Sequence, residues 1–188
     1  QTAYLKANYT VEYMTSVLNA FRNKEDKVAS AIAECRRLGI EILPPDVERS
    51  QLDFEPEGGA IRFGLLAIKN VGAGAVESIV NARTAGGDFS SLQDLCERID
   101  LRLANKRVFE ALAKVGALQK FGHPAQLLLA LDDALSAGTS VQRERAAGQV
   151  SLFDSSPGLA STVAVKLPSA AEAPTRERLR WERELLGV

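Results

Sequence analysis

The spacing of apolar residues changes from alternation to helical spacing at residue 65, and this change restricts the fold more than any other feature. From residue 65 onward, apolar residues recur every three or four positions, and glycine or proline interrupts them at short intervals. Before that point, "QLDF" and "AIRFGL" alternate apolar and polar residues around the turn-rich "EPEGG". The pattern predicts a mainly α fold of short helices with a small β-hairpin. With 188 residues, 46% of them hydrophobic, the chain can build one sizeable core or two small ones.

The residues before the hairpin predict three helices and one strand. Apolar residues near helical spacing in residues 3–21 predict two short helices, with Thr10 as the N-cap of the second. Residues 27–38 predict an amphipathic helix, and Gly39 follows where a left-handed C-terminal cap is expected. The segment "IEILPPD" predicts a short strand that ends at its prolines.

After the hairpin, capping residues and breaks divide the helical pattern. Ser90 or Ser91 is suited to cap the helix that starts at Leu92. From about Ala137 the composition shifts toward serine, glycine, alanine and proline, which is typical of a linker. The predicted helices cover residues 65–70, 75–83, 92–99, 105–114, 124–135 and 175–187.

Composition argues against several classes of protein. The net charge of −1 is inconsistent with a uniformly basic nucleic-acid binder but allows a local cationic face. Cys35 and Cys96 lack the paired spacing of a metal site and are expected to be buried free thiols. The single histidine, His123, has no partner cluster for catalysis. No apolar run approaches the roughly 20 residues that span a bilayer, so we expect a cytoplasmic protein with no membrane partner.

The segment "LLAIKNVGAGAVESIVNAR" has the form of a helix-hairpin-helix. A first helix is expected to end near Lys69, and a second helix to begin near Ala75. Between them, Gly72 and Gly74 allow a tight turn that other residues would enter only with strain. The backbone N–H groups of such a turn favour a phosphate, and Lys69 adds a positive charge beside it. Such contacts hold the sugar-phosphate backbone of a duplex without reading its bases. The alternative is an ordinary turn in which the glycines only join two helices.

A similar stretch follows downstream. The segment "ALAKVGALQKFG" repeats an apolar helix end, a lysine at Lys114 and the "VGA" triplet at Val115–Ala117. Two such hairpins would suit two phosphates on opposite strands of a duplex. Leu118 replaces the second glycine, which favours a structural role for the downstream copy. Lys106, Arg107 and Lys114 are alternatively just the solvated face of an amphipathic helix.

Five segments, taken in order, carry a resemblance to a known family. They are "AYLKANYTVEYMTSVLN", "DKVASAIAECRRLGIEILPPDVERSQLDF", "AIRFGLLAIKNVGAGAVESIVNAR", "NKRVFEALAKVGAL" and "WERELLG". Together they resemble the alpha-subunit family of bacterial DNA polymerase III, the replicative polymerase. The resemblance implies that residues 1–45 end a fingers domain, 46–136 form a tandem helix-hairpin-helix domain, 137–174 form a flexible linker with a clamp-binding peptide, and 175–188 form a helix that leads to an oligonucleotide-binding-fold domain.

The resemblance also implies partners and a role. The tandem hairpin domain would bind double-stranded DNA behind the polymerase active site, at the nucleoid, alongside the other domains of the polymerase and other replisome subunits. The polymerising aspartates and their Mg²⁺ would lie upstream, so we expect no catalytic residue, metal ligand or cofactor here and no nucleotidyl transfer by this chain alone. The residues expected to contact DNA are Lys69, Val71, Gly72, Ala73, Gly74, Ala75, Lys106, Arg107, Lys114 and Gly116.

The family also carries an internal motif, Gln-x-x-Leu/Met-Phe, that docks on the sliding clamp, the beta subunit. The pentapeptide "QVSLF" matches it at Gln149, Leu152 and Phe153. Gln149 would use its amide, and the two apolar side chains would fill a pocket on the clamp. A polar tether suits a peptide that is buried only in its partner. The alternative is an apolar pair that folds back on its own domain.

Two other functions stay open at this point. One is the corresponding region of an error-prone paralogue in repair or translesion synthesis, which would share the architecture but is not expected to carry a good clamp motif. The other is a protein-interaction scaffold whose hairpins are purely structural. The salt dependence of DNA binding separates the scaffold from a phosphate-binding domain, because phosphate contacts release counterions.

Overall fold

The computed structural model, which describes residues 2–147 and 166–187, is mainly α with one small sheet. This confirms the predicted fold class. A three-residue 3-10 helix, Leu65–Ala67, precedes the fourth helix. The helices in the described residues are α1 (Thr2–Asn8), α2 (Thr10–Phe21), α3 (Glu25–Arg37), α4 (Ala73–Gly86), α5 (Leu92–Arg98), α6 (Lys106–Lys114), α7 (Pro124–Ala146) and α8 (Thr175–Leu186). The strands are β1 (Ile42–Leu43), β2 (Glu55–Glu57) and β3 (Ala60–Arg62).

The predicted β-hairpin consists of β2 and β3, which pair antiparallel, and β1 joins β3 in parallel. Gly58 and Gly59 form its turn with φ angles of 59° and 87°. A two-residue turn fixes the register of the strands beside it, so β2 begins at Glu55 and "QLDF" lies outside the strand. Pro56 lies in β2, which is an edge of the sheet, and Pro44 directly follows β1, which is the other edge.

Helices α2 and α3 lie against each other and bury one face each. The amphipathic helix predicted over residues 27–38 is confirmed, and Gly39 follows it at φ 76° as the expected left-handed cap. The prediction that Thr10 caps α2 is wrong. Thr10 is the first residue of the helix, and its hydroxyl donates to the carbonyl oxygen of Lys6 at 2.9 Å. Its side chain therefore binds the preceding helix and not the free N–H groups of α2.

The N-terminal helices are joined to the sheet by a pair of hydrogen bonds. The side-chain amide of Asn19 donates to the carbonyl oxygen of Phe54 at 2.9 Å, and the Phe54 N–H donates back to Asn19 Oδ1 at 2.8 Å. Phe54 is 1% exposed, and its ring lies 4.7 Å from that of Phe63, between centroids. Helix α2 and the sheet therefore share one core.

Helix α7 extends to Ala146, although composition predicts a linker from about Ala137. Gly138 lets α7 approach α5 closely, because a Cβ at this position would lie 2.7 Å from the carbonyl oxygen of Cys96. The side-chain amide of Gln142 also donates to two carbonyl oxygens at the end of α5, at 2.9 and 2.7 Å. The predicted start of the linker is therefore wrong, since the small residues here permit close helix packing.

Two side chains cap helices in the C-terminal half. The Ser91 hydroxyl accepts the Asp94 N–H at 3.1 Å, which confirms one of the two predicted caps of α5. Asn105 caps α6, because its Oδ1 accepts the N–H groups of Arg107 and Val108 at 3.0 and 3.3 Å. Both helices therefore begin with side-chain oxygens on their otherwise unpaired N–H groups.

Replacing Gly138 by alanine should lower the free energy of unfolding by about 1–3 kcal/mol, because the added methyl overlaps the α5 backbone. The loss outweighs the gain of roughly 1 kcal/mol that alanine brings in helix propensity. Urea unfolding followed by circular dichroism measures this change. Ser140→Ala, an exposed position on the same helix, is the matched control and should leave stability unchanged or higher. Equal stability of the Gly138→Ala variant and the wild type would contradict the close packing.

Candidate nucleic-acid interface

The first hairpin, residues 68–72, joins the 3-10 helix to α4. Its left-handed residue is Asn70, with φ 68°, whereas Gly72 has φ −88° and Gly74 lies inside α4. The expectation that the two glycines supply a backbone conformation closed to other residues is therefore wrong. Asparagine tolerates the left-handed region better than most residues, so it provides the turn. The helix predicted over residues 65–70 is only a single 3-10 turn.

Gly72 contributes open space to the first hairpin. Nothing lies within 4 Å of where its Cβ would be, and as the N-cap of α4 it has no side chain to accept a hydrogen bond. Among the described residues, the N–H groups of Gly72, Ala73 and Gly74 have no acceptor. The start of α4 therefore presents three consecutive free donors at the positive end of a helix, an arrangement that suits an anion.

The other residues of this hairpin that were predicted to contact DNA are engaged in contacts within the chain. Val71 and Ala75 are 7% and 1% exposed, and their N–H groups donate to the carbonyl oxygens of Ile68 and Gly72. Lys69 forms an ion pair with Glu25, with 2.9 Å between Nζ and Oε2. The lysine predicted to attract phosphate thus already has an anionic partner at the start of α3.

The second hairpin, residues 115–123, joins α6 to α7 and differs from the first. Gly116 has φ 78° and ends α6: its N–H donates to Ala113 at 3.1 Å, and the Ala117 N–H donates to Leu112 at 2.9 Å. This is a Schellman cap, in which the turn satisfies its own backbone groups. The Val115 N–H is likewise bonded, to Ala111 at 3.1 Å. The two "VGA" triplets are therefore at opposite positions, one before a helix and one after a helix.

The start of α7 offers fewer donors than the start of α4. Pro124 is the first residue of the helix and has no N–H. The described C-terminal segment also covers this end, because the side-chain amide of Gln126 donates to the carbonyl oxygen of Pro168 at 3.2 Å. A Cβ at Gly122 would lie 2.9 Å from Leu167 Cδ1. No sequence pattern indicated this contact, since it joins segments 42 residues apart.

The predicted cations of α6 have different surroundings. Lys106 Nζ lies 2.6 and 2.9 Å from the two carboxylate oxygens of Asp132, and this hydrogen bonding raises the pKa of Lys106. Lys114 lines a cavity of about 190 Å³ that also includes two glutamates and an arginine. The Arg107 side chain is exposed and has no partner in the described part of the chain. Arg107 is therefore the predicted cation most available to a ligand.

The described residues contain no group of three histidine, cysteine or acidic side chains placed to hold a metal ion. Cys35 and Cys96 are buried free thiols, as predicted. Burial raises the pKa of Cys96 to about 12 and that of Cys35 in the same direction. No described helix combines the length and the apolar character needed to cross a membrane.

The sequence of this chain matches a family model and several known proteins. The sequence model of the helix-hairpin-helix motif matches residues 39–127. DNA polymerase III subunit alpha from Thermus aquaticus is 42% identical over 191 residues, and the proteins of that name from Mycobacterium leprae and Escherichia coli are 41% and 38% identical. The chain is homologous, over its full length, to a segment of DNA polymerase III alpha subunits. Each alignment covers 100% of this chain but only 15–16% of the relative, so the chain corresponds to one segment of the alpha subunit.

This homology confirms the resemblance inferred from the five segments. Within the alpha-subunit segment, the DNA contacts and the domain boundaries other than the start of the linker remain predictions. Residues 148–165, which include Gln149, Leu152 and Phe153 of the predicted clamp peptide, lie outside the described residues.

The left-handed conformation of Asn70 predicts a difference between two substitutions at one position. Asn70→Ala should lower the free energy of unfolding by about 1–2 kcal/mol, because a Cβ without a compensating side-chain hydrogen bond is strained there. Asn70→Gly should leave stability unchanged or raise it. Thermal and urea unfolding of both variants measure the difference. Indistinguishable stability of the alanine and glycine variants would contradict the turn geometry.

Proposed function

We propose that the chain binds the sugar-phosphate backbone of double-stranded DNA as part of a replicative DNA polymerase alpha subunit. The observation that carries this proposal is the start of α4, where Gly72, Ala73 and Gly74 present three free N–H groups in the open first hairpin of a helix-hairpin-helix. Such donors hold a phosphate oxygen and approach the backbone closely because no side chain intervenes. They position a duplex without selecting its sequence.

The charges of the chain favour a modest affinity for DNA. The chain carries a net charge of −1, and Lys69 and Lys106 each have a carboxylate partner within hydrogen-bonding distance. Each phosphate neutralised by a cation steepens the salt dependence of binding by about 0.9 in the log–log slope. With Arg107 as the most available predicted cation, the slope should be shallow. Such weak contact suits a domain that must move along DNA while another part of the protein works on it.

The rest of the alpha subunit would supply the chemistry. Polymerisation and the Mg²⁺ ions that it needs belong, in this proposal, to the greater part of the relatives that this chain does not cover. The chain itself would therefore act as a noncatalytic DNA-holding segment in the bacterial cytoplasm, at the nucleoid. The name shared by the relatives favours the replicative polymerase over an error-prone paralogue.

The sliding clamp is the proposed protein partner. "QVSLF" provides a glutamine amide and two apolar anchors, Leu152 and Phe153, between α7 and α8. A clamp that encircles the duplex held by the first hairpin would lie within reach of such a peptide. Affinity would come mainly from the two buried anchors.

A scaffold module is the second candidate, and three contacts favour it. The cations Lys69 and Lys106 are engaged by carboxylates of the same chain, and residues 166–187 cover the second hairpin. In that case the hairpins would be structural, and binding to DNA would be absent even at low salt.

Gly72→Asp separates phosphate binding from folding. The new side chain enters open space and can cap α4 itself, so stability should stay the same or rise by a few tenths of a kcal/mol. The carboxylate would occupy the free N–H groups and repel phosphate. We expect duplex affinity to fall about tenfold or more, the equivalent of one lost hydrogen bond to a charged group. Fluorescence anisotropy with labelled duplexes of two unrelated sequences measures the affinity.

The matched control is Ser91→Asp. It adds the same charge at another helix N-cap, where serine already accepts the Asp94 N–H. This variant should bind duplex like the wild type. If folded Gly72→Asp and Ser91→Asp proteins bind equally well at low salt, the first hairpin does not hold phosphate.

Substituting both Leu152 and Phe153 by alanine should weaken binding to the purified sliding clamp more than about thirtyfold, since each anchor contributes about 2 kcal/mol or more. The double variant Ser155→Ala/Ser156→Ala, just beyond the pentapeptide, is the control and should bind normally. Isothermal titration calorimetry of the clamp with each variant measures the change. Full retention of clamp binding by the Leu152/Phe153 variant would exclude the peptide as the contact.

A further inference from the structure

The start of the first hairpin is held from outside by α8. Lys69, the residue before the left-handed Asn70, donates its backbone N–H to the carbonyl oxygen of Leu185 at 2.9 Å. Leu185 lies in the last turn of α8 and is only 6% exposed. Leu186 packs, partly buried, against the same core. A backbone hydrogen bond thus joins α8 to the first hairpin, and the buried side chain of Leu185 holds its acceptor in place.

A second contact strengthens this junction. The Lys69 ammonium pairs with Glu25 at the start of α3. Gly187 ends α8 in the left-handed conformation, and a Cβ there would lie 3.4 Å from the Cβ of Glu25. The start of α3, the first hairpin and the end of α8 therefore meet around Lys69.

The two hairpins differ in whether they hold themselves in place. In the second, Val115, Gly116 and Ala117 all bond to carbonyl groups of α6. In the first, the arm before the turn is a three-residue 3-10 helix, and the Lys69 N–H finds its acceptor in α8. The first hairpin therefore depends on a distant element for a bond that a full-length helix would supply locally.

Helix α8 also lies near the second hairpin. Arg178 and Glu182 line the same cavity as Lys114 and Gly116 at the end of α6. The last turn of α8 is thus bonded to the first hairpin, and its earlier turns lie near the second.

We propose that Leu185 is a positioning residue: it fixes the start of the first hairpin and thereby aims the free N–H groups of residues 72–74 at DNA, which it does not touch. This inference rests on the proposed function and deepens it by naming α8 as an element on which duplex affinity depends. Binding groups lose much of their effect when their support is loose by a fraction of an ångström to about one ångström. Displacing the last turn of α8 therefore weakens DNA binding while every phosphate-binding group is still present.

The experiment compares Leu185→Ala with Leu179→Ala in the full 188-residue chain. Leu179 lies on the same helix, undergoes the same chemical change and is 58% exposed, so it is the matched control. Leu185→Ala should bind duplex at least about fivefold more weakly, the lower range of coupling between distant sites. Its salt dependence should stay unchanged because no cation is removed. Leu179→Ala should bind like the wild type.

Hydrogen–deuterium exchange of the unbound proteins provides a readout that does not depend on DNA. The amides of residues 68–71 should exchange faster in Leu185→Ala than in Leu179→Ala, because the Lys69 N–H loses its fixed acceptor. Leu185→Met should restore both slow exchange and affinity, since methionine keeps the buried volume. Circular dichroism checks folding, and Leu185→Val replaces the alanine variant if that variant does not fold.

Three results would overturn the proposal. The first is equal duplex affinity of folded Leu185→Ala and Leu179→Ala proteins. The second is faster exchange in Leu185→Ala without any loss of affinity, and the third is unchanged exchange at residues 68–71. If the wild-type chain binds no duplex at all, the proposed function fails, and the exchange measurement alone then decides whether α8 holds the first hairpin.

Discussion

Backbone N–H groups at helix ends need partners, and this need shapes most of the structure. A fold of short helices has many ends, and each helix start carries up to four N–H groups with no acceptor inside the helix. Ser91 and Asn105 supply side-chain oxygens at the starts of α5 and α6. Gly72 supplies none at α4, although Val71 and Ala75 on either side are buried. The open donors of the first hairpin are thus flanked by buried residues.

The charges around the hairpins bear on how the proposed function would work. Lys69 and Lys106 are paired with Glu25 and Asp132, so they add little net positive potential. Such exposed pairs contribute little to stability. In the proposed function, the oriented N–H groups and Arg107 would therefore provide most of the attraction for phosphate. In the proposed function this gives a hold that is specific for the shape of a backbone and easily released.

Local features could be predicted from the sequence, and features set by distant contacts could not. The β-hairpin, the Gly39 cap and the Ser91 cap each depend on a few neighbouring residues, and all three are confirmed. The repeated "VGA" triplet suggested two hairpins of one design, although Leu118 favoured a structural role for the second. In the structure the first triplet leads into α4, whereas the second follows α6. Gly138 lies in a stretch whose composition is typical of a linker, yet it permits close contact between α7 and α5. Only the tertiary structure distinguishes a glycine in a helix contact from a glycine in a linker.

The prolines at the margins of the small sheet have a consequence for how the chain behaves in a crowded cell. Pro56 occupies the edge strand β2, and Pro44 comes directly after β1 on the opposite edge. A proline has no N–H to offer a neighbouring strand, so neither margin presents an uninterrupted row of donors and acceptors to another polypeptide. The sheet is therefore a poor template for strand addition. Where copies of the chain meet at high concentration, this discourages them from joining edge to edge into aggregates.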